Sequence, residues 1–285
     1  PDFAGRSDFE GRVIHPQAWP ADFDETDARI VVIGSGATAV TLVPALAERA
    51  AHVTMLQRSP TYVLSMPAAD PVADLAHRAL PERAAYTVTR WSHLLQAWAL
   101  YRAARIAPKQ VRKLIRGDAK SHLPQDYPVD EHFNPTYDPW DQRLCLVPEG
   151  DLYAALSSGR AEIVTDTIDR FTAHGIRLTS GREVPADVVV TATGLRILPG
   201  GGATLSVDGA PVDLAQTVSY KGIMLSGIPN FALALGYTNA SWTLKVDLVS
   251  RYVCRLLAYM ERHGFTQVWP QAPPAGAATR PIIDF

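Results

Sequence analysis

The sequence contains little cysteine and no long apolar run. Cys145 and Cys254 are its only cysteines among 285 residues. Two distant cysteines cannot form a disulfide framework or a zinc site, so they favour buried thiols in a reducing, cytoplasmic compartment. No apolar run reaches the roughly 18 residues of a membrane-spanning helix, and no signal peptide is recognisable. The net charge of −2 offers no basic surplus for nucleic-acid binding.

Several catalytic patterns are also missing. The sequence has no G-x-S-x-G elbow, no metal-ligand spacing, no convincing pair of carboxylates and no internal repeat. These absences argue against serine hydrolases and metalloenzymes, and we predict no metal site. With 47% hydrophobic and 20% charged residues, the composition is that of a globular protein with one large domain or two small ones.

A glycine-rich turn lies between a predicted strand and a predicted helix. Residues 29–33 (RIVVI) form a continuous apolar run, GSGATA follows at 34–39, and a second strand is predicted at 52–57. In this βαβ context the turn matches the dinucleotide fingerprint, with an alanine as the third small residue. The following helix start supplies N–H groups to phosphates. The predicted contacts are Gly34, Ser35, Gly36, Ala37 and Thr38.

The end of the second strand indicates which dinucleotide binds. Enzymes that use NAD place an acidic residue there, which binds the ribose 2′-hydroxyl. This chain has Gln57, Arg58 and Ser59 instead. Because a guanidinium suits a 2′-phosphate in charge and in geometry, Arg58 and Ser59 predict NADPH. A solvated surface arginine is the alternative.

The segment before the first strand carries a spaced signature. Its fixed positions are Phe9, Gly11, His15, Trp19 and Pro20, in the pattern F-x-G-x-x-x-H-x-x-x-W-P. This pattern, just ahead of a glycine fingerprint, resembles Baeyer–Villiger monooxygenases. Nearly the whole chain resembles their ethionamide-activating branch, through the blocks HPQAWP, VVIGSGATAVTLVPALA, HVTMLQRSPTYV, NPTYDPWDQRLCLVP, TDTIDRFT, ATGL, YKGIMLSGIPNF and GYTNASWTLK.

The resemblance implies an α/β fold and a domain plan. Residues 1–22 would be a linker that carries the signature and couples domain positions. Residues 23–194 would form a Rossmann-type NADPH-binding domain with a helical insertion at about 70–122. Residues 195–285 would be the C-terminal return of an FAD-binding Rossmann-type domain. Because only one glycine fingerprint occurs and the sequence starts at Pro1, the chain is expected to be N-terminally incomplete and unable to hold FAD alone.

The resemblance also implies an activity. NADPH would reduce FAD, and the reduced flavin would use O2 to oxygenate a small-molecule ketone, or the sulfur of a thioamide or sulfide. Thr193, Gly194, Asn239 and Ser241 would lie on the flavin side. The family's flavin-facing arginine, which stabilises negative charge during ketone oxidation, is replaced by Ala69. The resemblance therefore assigns no catalytic residue, and Ala69 argues against ketone oxidation.

The sequence also leaves alternative functions. An NADPH-dependent disulfide reductase shares the domain plan but needs a redox pair such as C-x-x-C, which this sequence lacks. A remnant that binds only NADPH and serves as an interaction domain is the non-enzymatic alternative. The basic run at 102–120 predicts a solvated helix face, or else a weak peripheral membrane contact.

Overall fold

The computed structural model of the protein describes residues 2–142, 144–195, 199–236, 242–274 and 276. Two compact units divide the chain, Pro1–Leu195 and Arg196–Phe285. The strands are β1 (Arg12–Ile14), β2 (Arg29–Ile33), β3 (His52–Gln57), β4 (Tyr62–Met66), β5 (Leu144–Pro148), β6 (Ala161–Thr165), β7 (Ile168–Thr172), β8 (Gly175–Leu178), β9 (Glu183–Pro185), β10 (Val188–Thr191), β11 (Ser206–Val207), β12 (Ala210–Pro211), β13 (Ser219–Tyr220) and β14 (Met224–Leu225). The α-helices are α1 (Ala37–Ala47), α2 (Pro71–Ala79), α3 (Glu82–Ile106), α4 (Pro108–His122), α5 (Val129–His132), α6 (Asp151–Ser157) and α7 (Trp242–His263).

The first unit is built on a five-stranded parallel sheet in the order β1-β10-β2-β3-β6. Along β2 the side chains alternate between two cores, with Ile30 and Val32 in one and Val31 and Ile33 in the other. Helices α1 and α6 close the first core, and the antiparallel sheet β7-β8-β9 closes the second. Cover on both faces explains why β2 is a continuous apolar run.

The strand order reverses beside β2. From β2 the chain passes through α1 to β3, and β6 lies beyond β3, whereas β10 returns to the opposite side of β2. In open α/β sheets, ligands bind at the carboxyl ends of the strands where the order reverses. The topology therefore predicts a ligand site at the carboxyl ends of β2, β3, β6 and β10.

The N-terminal segment is less irregular than its composition suggests. The abundance of Pro, Gly, Asp and aromatic residues in 1–28 predicts irregular connecting chain, yet β1 pairs in parallel with β10. Gly11 allows this approach, because a Cβ there would lie 2.3 Å from the carbonyl oxygen of Asp187. The expectation was wrong for Arg12–Ile14, since three residues are too few to show a strand period.

Helices α2, α3 and α4 occupy the segment at about 70–122 that the sequence predicts to be helical. Asp70 caps α2 by accepting hydrogen bonds from the N–H groups of Val72 and Ala73. Pro81 is the N-cap of α3 and Pro108 is the first residue of α4, positions that tolerate the missing N–H. The many Pro, Asp and Tyr residues of 123–150 predict a long ordered loop, and this prediction is wrong in part, because the segment contains α5 and β5. β5 pairs with β4, a non-local pairing that local patterns do not reveal.

In the described part of the second unit there are two hairpins and one long helix. The segment SVDGAPV at 206–212 predicts a hairpin, which is confirmed as β11 and β12. Gly264 ends α7 at φ +68°, and the N–H of Phe265 donates to the carbonyl of Met260 at 2.9 Å, which completes a Schellman cap. The apolar segment FALALGY at 231–237 predicts a strand. This is wrong across 231–236: the N–H of Leu233 donates to the carbonyl of Ile223, but no ladder forms among the described residues.

Candidate functional site

The glycine turn directly follows β2. Gly34 adopts φ +132°, and its N–H donates to the carbonyl of Leu56 at 2.8 Å. A Cβ at Gly34 would lie 2.4 Å from the carbonyl oxygen of Ala192. The backbone conformation and the close approach of the neighbouring strand end both require glycine here.

Helix α1 begins at the turn. Gly36 is its N-cap, and a Cβ there would meet nothing within 4 Å. Ala37 and Thr38 are exposed in the first turn, where N–H groups have no intrahelical acceptor. Ala39 is fully buried in the first core, as the third small residue of the fingerprint requires. The turn therefore presents donors and a positive dipole end to open space.

The end of β3 contributes Arg58 and Ser59. The hydroxyl of Ser35 donates to the carbonyl of Ser59 at 3.2 Å, which joins the two loops. Gln57 points the other way: it is 1% exposed, and its amide donates to Thr165 Oγ1 at 2.8 Å and to the carbonyl of His132 at 2.9 Å. Gln57 is thus held in the interior, whereas Arg58 is the residue at this strand end that can contact a ligand.

A cavity of about 430 Å³ unites these strand ends within the first unit. This volume is in the range of small-molecule sites, about 300–1,000 Å³. It is lined by Phe3, Ile33, Gly34, Ser35, Leu56, Arg58, Ser59, Asp166, Thr167, Ile168 and Thr193. The structure therefore brings together the predicted glycine turn, Arg58, Ser59 and Thr193.

Sequence reasoning missed Asp166. Its carboxylate accepts hydrogen bonds from the N–H of Thr167, the hydroxyl of Thr179 and the N–H of Ser180. Hydrogen bonds from Ser180 and Thr179 lower the pKa of Asp166, so it stays ionised at neutral pH. Because these donors occupy the carboxylate, it acts as a loop-organising group at the cavity.

A buried polar network supports the same strand ends. Thr165 Oγ1, which accepts from Gln57, lies 2.8 Å from His132 Nδ1. Burial lowers the pKa of His132, which favours a neutral ring that accepts the threonine proton at Nδ1. Gln57 precedes Arg58 and Thr165 precedes Asp166, so the network fixes two cavity residues from behind.

The predicted flavin-side residues fall in different places. Thr193 lines the cavity, half-buried, and Gly194 follows it at φ +105°. A Cβ at Gly194 would meet nothing within 4 Å. Asn239 and Ser241 lie outside the described residues. Their assignment to the flavin stays a prediction.

The five signature residues do not line the described cavity. Phe9 is buried with its ring edge-on to Phe171 at 5.9 Å. His15 Nδ1 accepts from the N–H of Gln17 at 3.2 Å, and Trp19 packs edge-on against Phe23 at 5.4 Å. Gly11 lies against β10 and Pro20 follows Trp19 half-buried. These contacts give the signature a role in the first unit, and its predicted coupling of domains stays a prediction.

Ala69 lies in the exposed loop between β4 and α2. The preceding N–H, that of Ala68, donates to the Glu149 carboxylate at 2.6 Å. On the other side, Asp70 Oδ2 lies 2.5 Å from His93 Nε2. The loop is therefore held at both ends, and the alanine offers neither charge nor a side-chain donor.

The basic run of α3 and α4 meets acidic partners. Arg105 pairs with Asp141 at 2.5 Å and Arg112 with Asp138 at 2.9 Å. Arg116 and Lys120 both pair with Asp130. Much of the positive charge is therefore compensated within the fold, and the peripheral membrane contact stays a prediction. No helix in the described part of the chain is long and apolar enough to cross a membrane.

The two cysteines lie in different units of the chain. Cys145 is buried in β5, with its sulfur 3.9 Å from the carbonyl oxygen of Ser35, and Cys254 is exposed on α7 in the second unit. The first unit thus holds one thiol, whereas a disulfide reductase requires a pair. The described residues include no cluster of three or more metal-ligating side chains.

Comparisons with known proteins give a consistent picture. No protein-family model matches the chain. The FAD-containing monooxygenase EthA of Mycobacterium tuberculosis is 57% identical over 286 residues, which cover 100% of this chain and 58% of that protein. The probable FAD-binding monooxygenase AlmA of Acinetobacter baylyi is 47% identical over 272 residues, 95% of this chain and 54% of that protein. The chain thus spans little more than half the length of these curated relatives.

Solved structures share the fold. An oxidised steroid monooxygenase bound to NADP aligns with a TM-score of 0.69 and 19% identity, over 93% of this chain and 59% of that one. Cyclohexanone monooxygenase from Rhodococcus sp. Phi1, bound to NADP+, aligns with a TM-score of 0.64 and 21% identity, over 92% and 58%. The predicted α/β fold class and the resemblance to flavin monooxygenases are confirmed.

Proposed function

We propose, from the homology of all 285 residues to FAD-containing monooxygenases, that the full-length protein is an FAD- and NADPH-dependent monooxygenase. It transfers one oxygen atom of O2 to a small-molecule ketone, or to the sulfur of a thioamide or sulfide. Because the chain spans 58% of those relatives, the proposal concerns the whole protein. The part of it that the described residues support directly is NADPH binding.

One observation carries the NADPH assignment: the cavity joins a glycine turn at a helix start to an arginine at the adjacent strand end. Gly36 leaves open space where a pyrophosphate needs close backbone approach. Arg58 makes no ion pair with any described residue, so its guanidinium is available to a 2′-phosphate. The cavity carboxylate, Asp166, is engaged by its own loop and does not substitute for the acidic residue of NAD enzymes.

The chemistry of these residues suits NADPH. Gly36, Ala37 and Thr38 would hold the pyrophosphate through backbone N–H groups, and Arg58 and Ser59 would hold the 2′-phosphate. When bound, NADPH supplies a hydride and FAD carries out the oxygen chemistry. Protein groups orient the coenzyme and exclude water. Thr193, Gly194, Asn239 and Ser241 remain the proposed flavin-side residues, on the strength of the resemblance.

Coenzyme preference tests this proposal. In the full-length protein, Arg58→Ala should reduce the ratio of NADPH to NADH turnover at least about tenfold, because loss of a charged hydrogen bond costs about 1.5–3 kcal/mol. Arg78→Ala, an equally large change on exposed α2 outside the cavity lining, serves as the control. An unchanged ratio in Arg58→Ala contradicts the assignment.

Product analysis tests the oxygenase part. The full-length protein with FAD and NADPH should form a sulfoxide from a sulfide, with consumption of O2. NADPH binding without oxygenated product from a panel of ketones, sulfides and thioamides would instead favour the remnant alternative.

A further inference from the structure

Phe3 gives the cavity an aromatic surface far upstream of the glycine turn. Its ring lies parallel to that of Phe171, with centroids 5.3 Å apart and an interplanar angle of 19°. Phe3 is half-buried and lines the cavity. Phe171 covers one side of the ring, and part of Phe3 remains accessible from the cavity.

Three features hold the backbone next to this ring against β7. The N–H of Phe171 donates to the carbonyl of Ala4 at 2.8 Å. Gly5, at φ +71°, lies so close that a Cβ would be 2.3 Å from the carbonyl oxygen of Phe171. Asp8 accepts from Arg170 at 2.9 Å. The segment is thus attached to β7, which restricts the motion of Phe3, and a restricted side chain loses less entropy when a ligand stacks on it.

Phe3 belongs to an apolar wall that also contains Ile33, Leu56 and Ile168. Arg58 and Ser59 provide polar groups to the same cavity. A wall of this kind beside a guanidinium suits a ligand with a flat ring near a phosphate. The adenine ring of NADPH has that chemistry, because it is attached to the ribose that carries the 2′-phosphate.

We infer that Phe3 and Ile168 form the platform on which the adenine ring of NADPH stacks. The inference rests on the proposed function, in which Arg58 receives the 2′-phosphate. Adenine then lies within one sugar of Arg58, which is consistent with a shared cavity of about 430 Å³. The nicotinamide end extends away from this wall.

The probe is adenosine 2′,5′-bisphosphate, titrated calorimetrically into the 285-residue chain. Base–aromatic stacking contributes enough affinity that Phe3→Leu, which keeps apolar area but loses the ring, should weaken binding about 5–10-fold. Phe3→Tyr should bind within about twofold of wild type. Phe23→Leu is the matched control, since Phe23 is also half-buried beside another ring but lies outside the cavity lining.

The outcomes separate the inference from the proposed function. If wild type does not bind the probe, both fail. If wild type binds and Phe3→Leu binds equally well, only the platform is overturned. Weakened binding of nicotinamide mononucleotide in Phe3→Leu would also overturn it, because the ring would then face the other end of the coenzyme.

A second variant guards against loss of folding in Phe3→Leu, which thermal unfolding would reveal. Phe3→Trp keeps an aromatic ring and adds a fluorophore to the six native tryptophans. Adenosine 2′,5′-bisphosphate should quench the added emission saturably, whereas nicotinamide mononucleotide should not. Equal quenching in wild type and Phe3→Trp would contradict the placement of adenine.

Discussion

Replacing Gly34 and Gly36 by alanine, one at a time, should separate folding from nucleotide binding. Both glycines belong to the same turn, but their surroundings differ. Gly34 combines φ +132° with a neighbouring carbonyl oxygen 2.4 Å from the position of a Cβ. Gly36 has φ −80°, and its Cβ would meet nothing within 4 Å.

The magnitudes follow from these geometries. A positive φ costs a non-glycine residue about 1–3 kcal/mol, and the overlap with Ala192 would force β2 and β10 apart. Gly34→Ala should therefore lower the free energy of unfolding by at least about 2 kcal/mol. At Gly36, the loss of a good N-cap residue is offset by the reduced entropy of the unfolded chain, so stability should change by no more than about 0.5 kcal/mol.

Affinity should follow the opposite pattern. The methyl group of Gly36→Ala would occupy the space through which a pyrophosphate approaches the backbone, so NADPH should bind at least about tenfold more weakly. Urea unfolding followed by circular dichroism gives the stabilities, and calorimetric titration gives the affinities. Gly117→Ala, in open space on α4, is a control that should bind NADPH normally. A fully stable Gly34→Ala, or normal affinity in Gly36→Ala, would refute the reasoning.

Three further predictions concern charge. Hydrogen bonds from the Arg29 side chain lower the pKa of Asp187 to about 2, so their stabilisation is complete above about pH 4 and is lost as pH falls through 2. Because solvent screens this half-exposed pair, Asp187→Asn should lower the free energy of unfolding at pH 7, measured with urea, by only about 1 kcal/mol. The same loss at pH 2 would contradict the ion pair. Gln57→Glu should destabilise the chain by about 2 kcal/mol or more, because it buries a carboxylate, and NADH binding, measured by calorimetry, should not improve. In the full-length protein, Ala69→Arg should raise the rate of ester formation from a ketone on the order of 100-fold, far more than the rate of sulfoxidation of a sulfide. A paired product assay measures both rates, and equal increases would show that another residue supplies the positive charge for ketone oxidation.

Local patterns were sufficient to predict the central βαβ unit. The apolar run of β2, the glycine turn and the start of α1 follow one another within residues 29–47, so neighbouring residues determine all three. Among the described strands, β4 and β5 pair only with each other. Their separation of about 80 residues leaves no local period that identifies the partner, and β5 was therefore predicted as part of a loop.

The buried face of α3 could not be predicted from residue size. Its fully buried positions are Ala85 and Ala104, whereas Trp91 and Trp98 are 59% and 61% exposed. Hydrophobic periodicity indicates the helix correctly. Which face of α3 is buried depends on small side chains that allow neighbouring elements to approach closely. The sequence of α3 alone does not show which face those neighbouring elements cover.

The coenzyme-determining arginine depends on strand register as well as on its identity. Successive side chains of a strand point to opposite faces, so a slip of one residue in β3 would turn Arg58 inward and Gln57 towards the cavity. Gln57 and Thr165 are direct partners in the pairing of β3 with β6, and their 2.8 Å hydrogen bond is satisfied only in this register. His132 adds a second bond to each partner. The sequence reveals the arginine, but its orientation towards the cavity is determined by a buried amide, a hydroxyl and an imidazole from three separate segments.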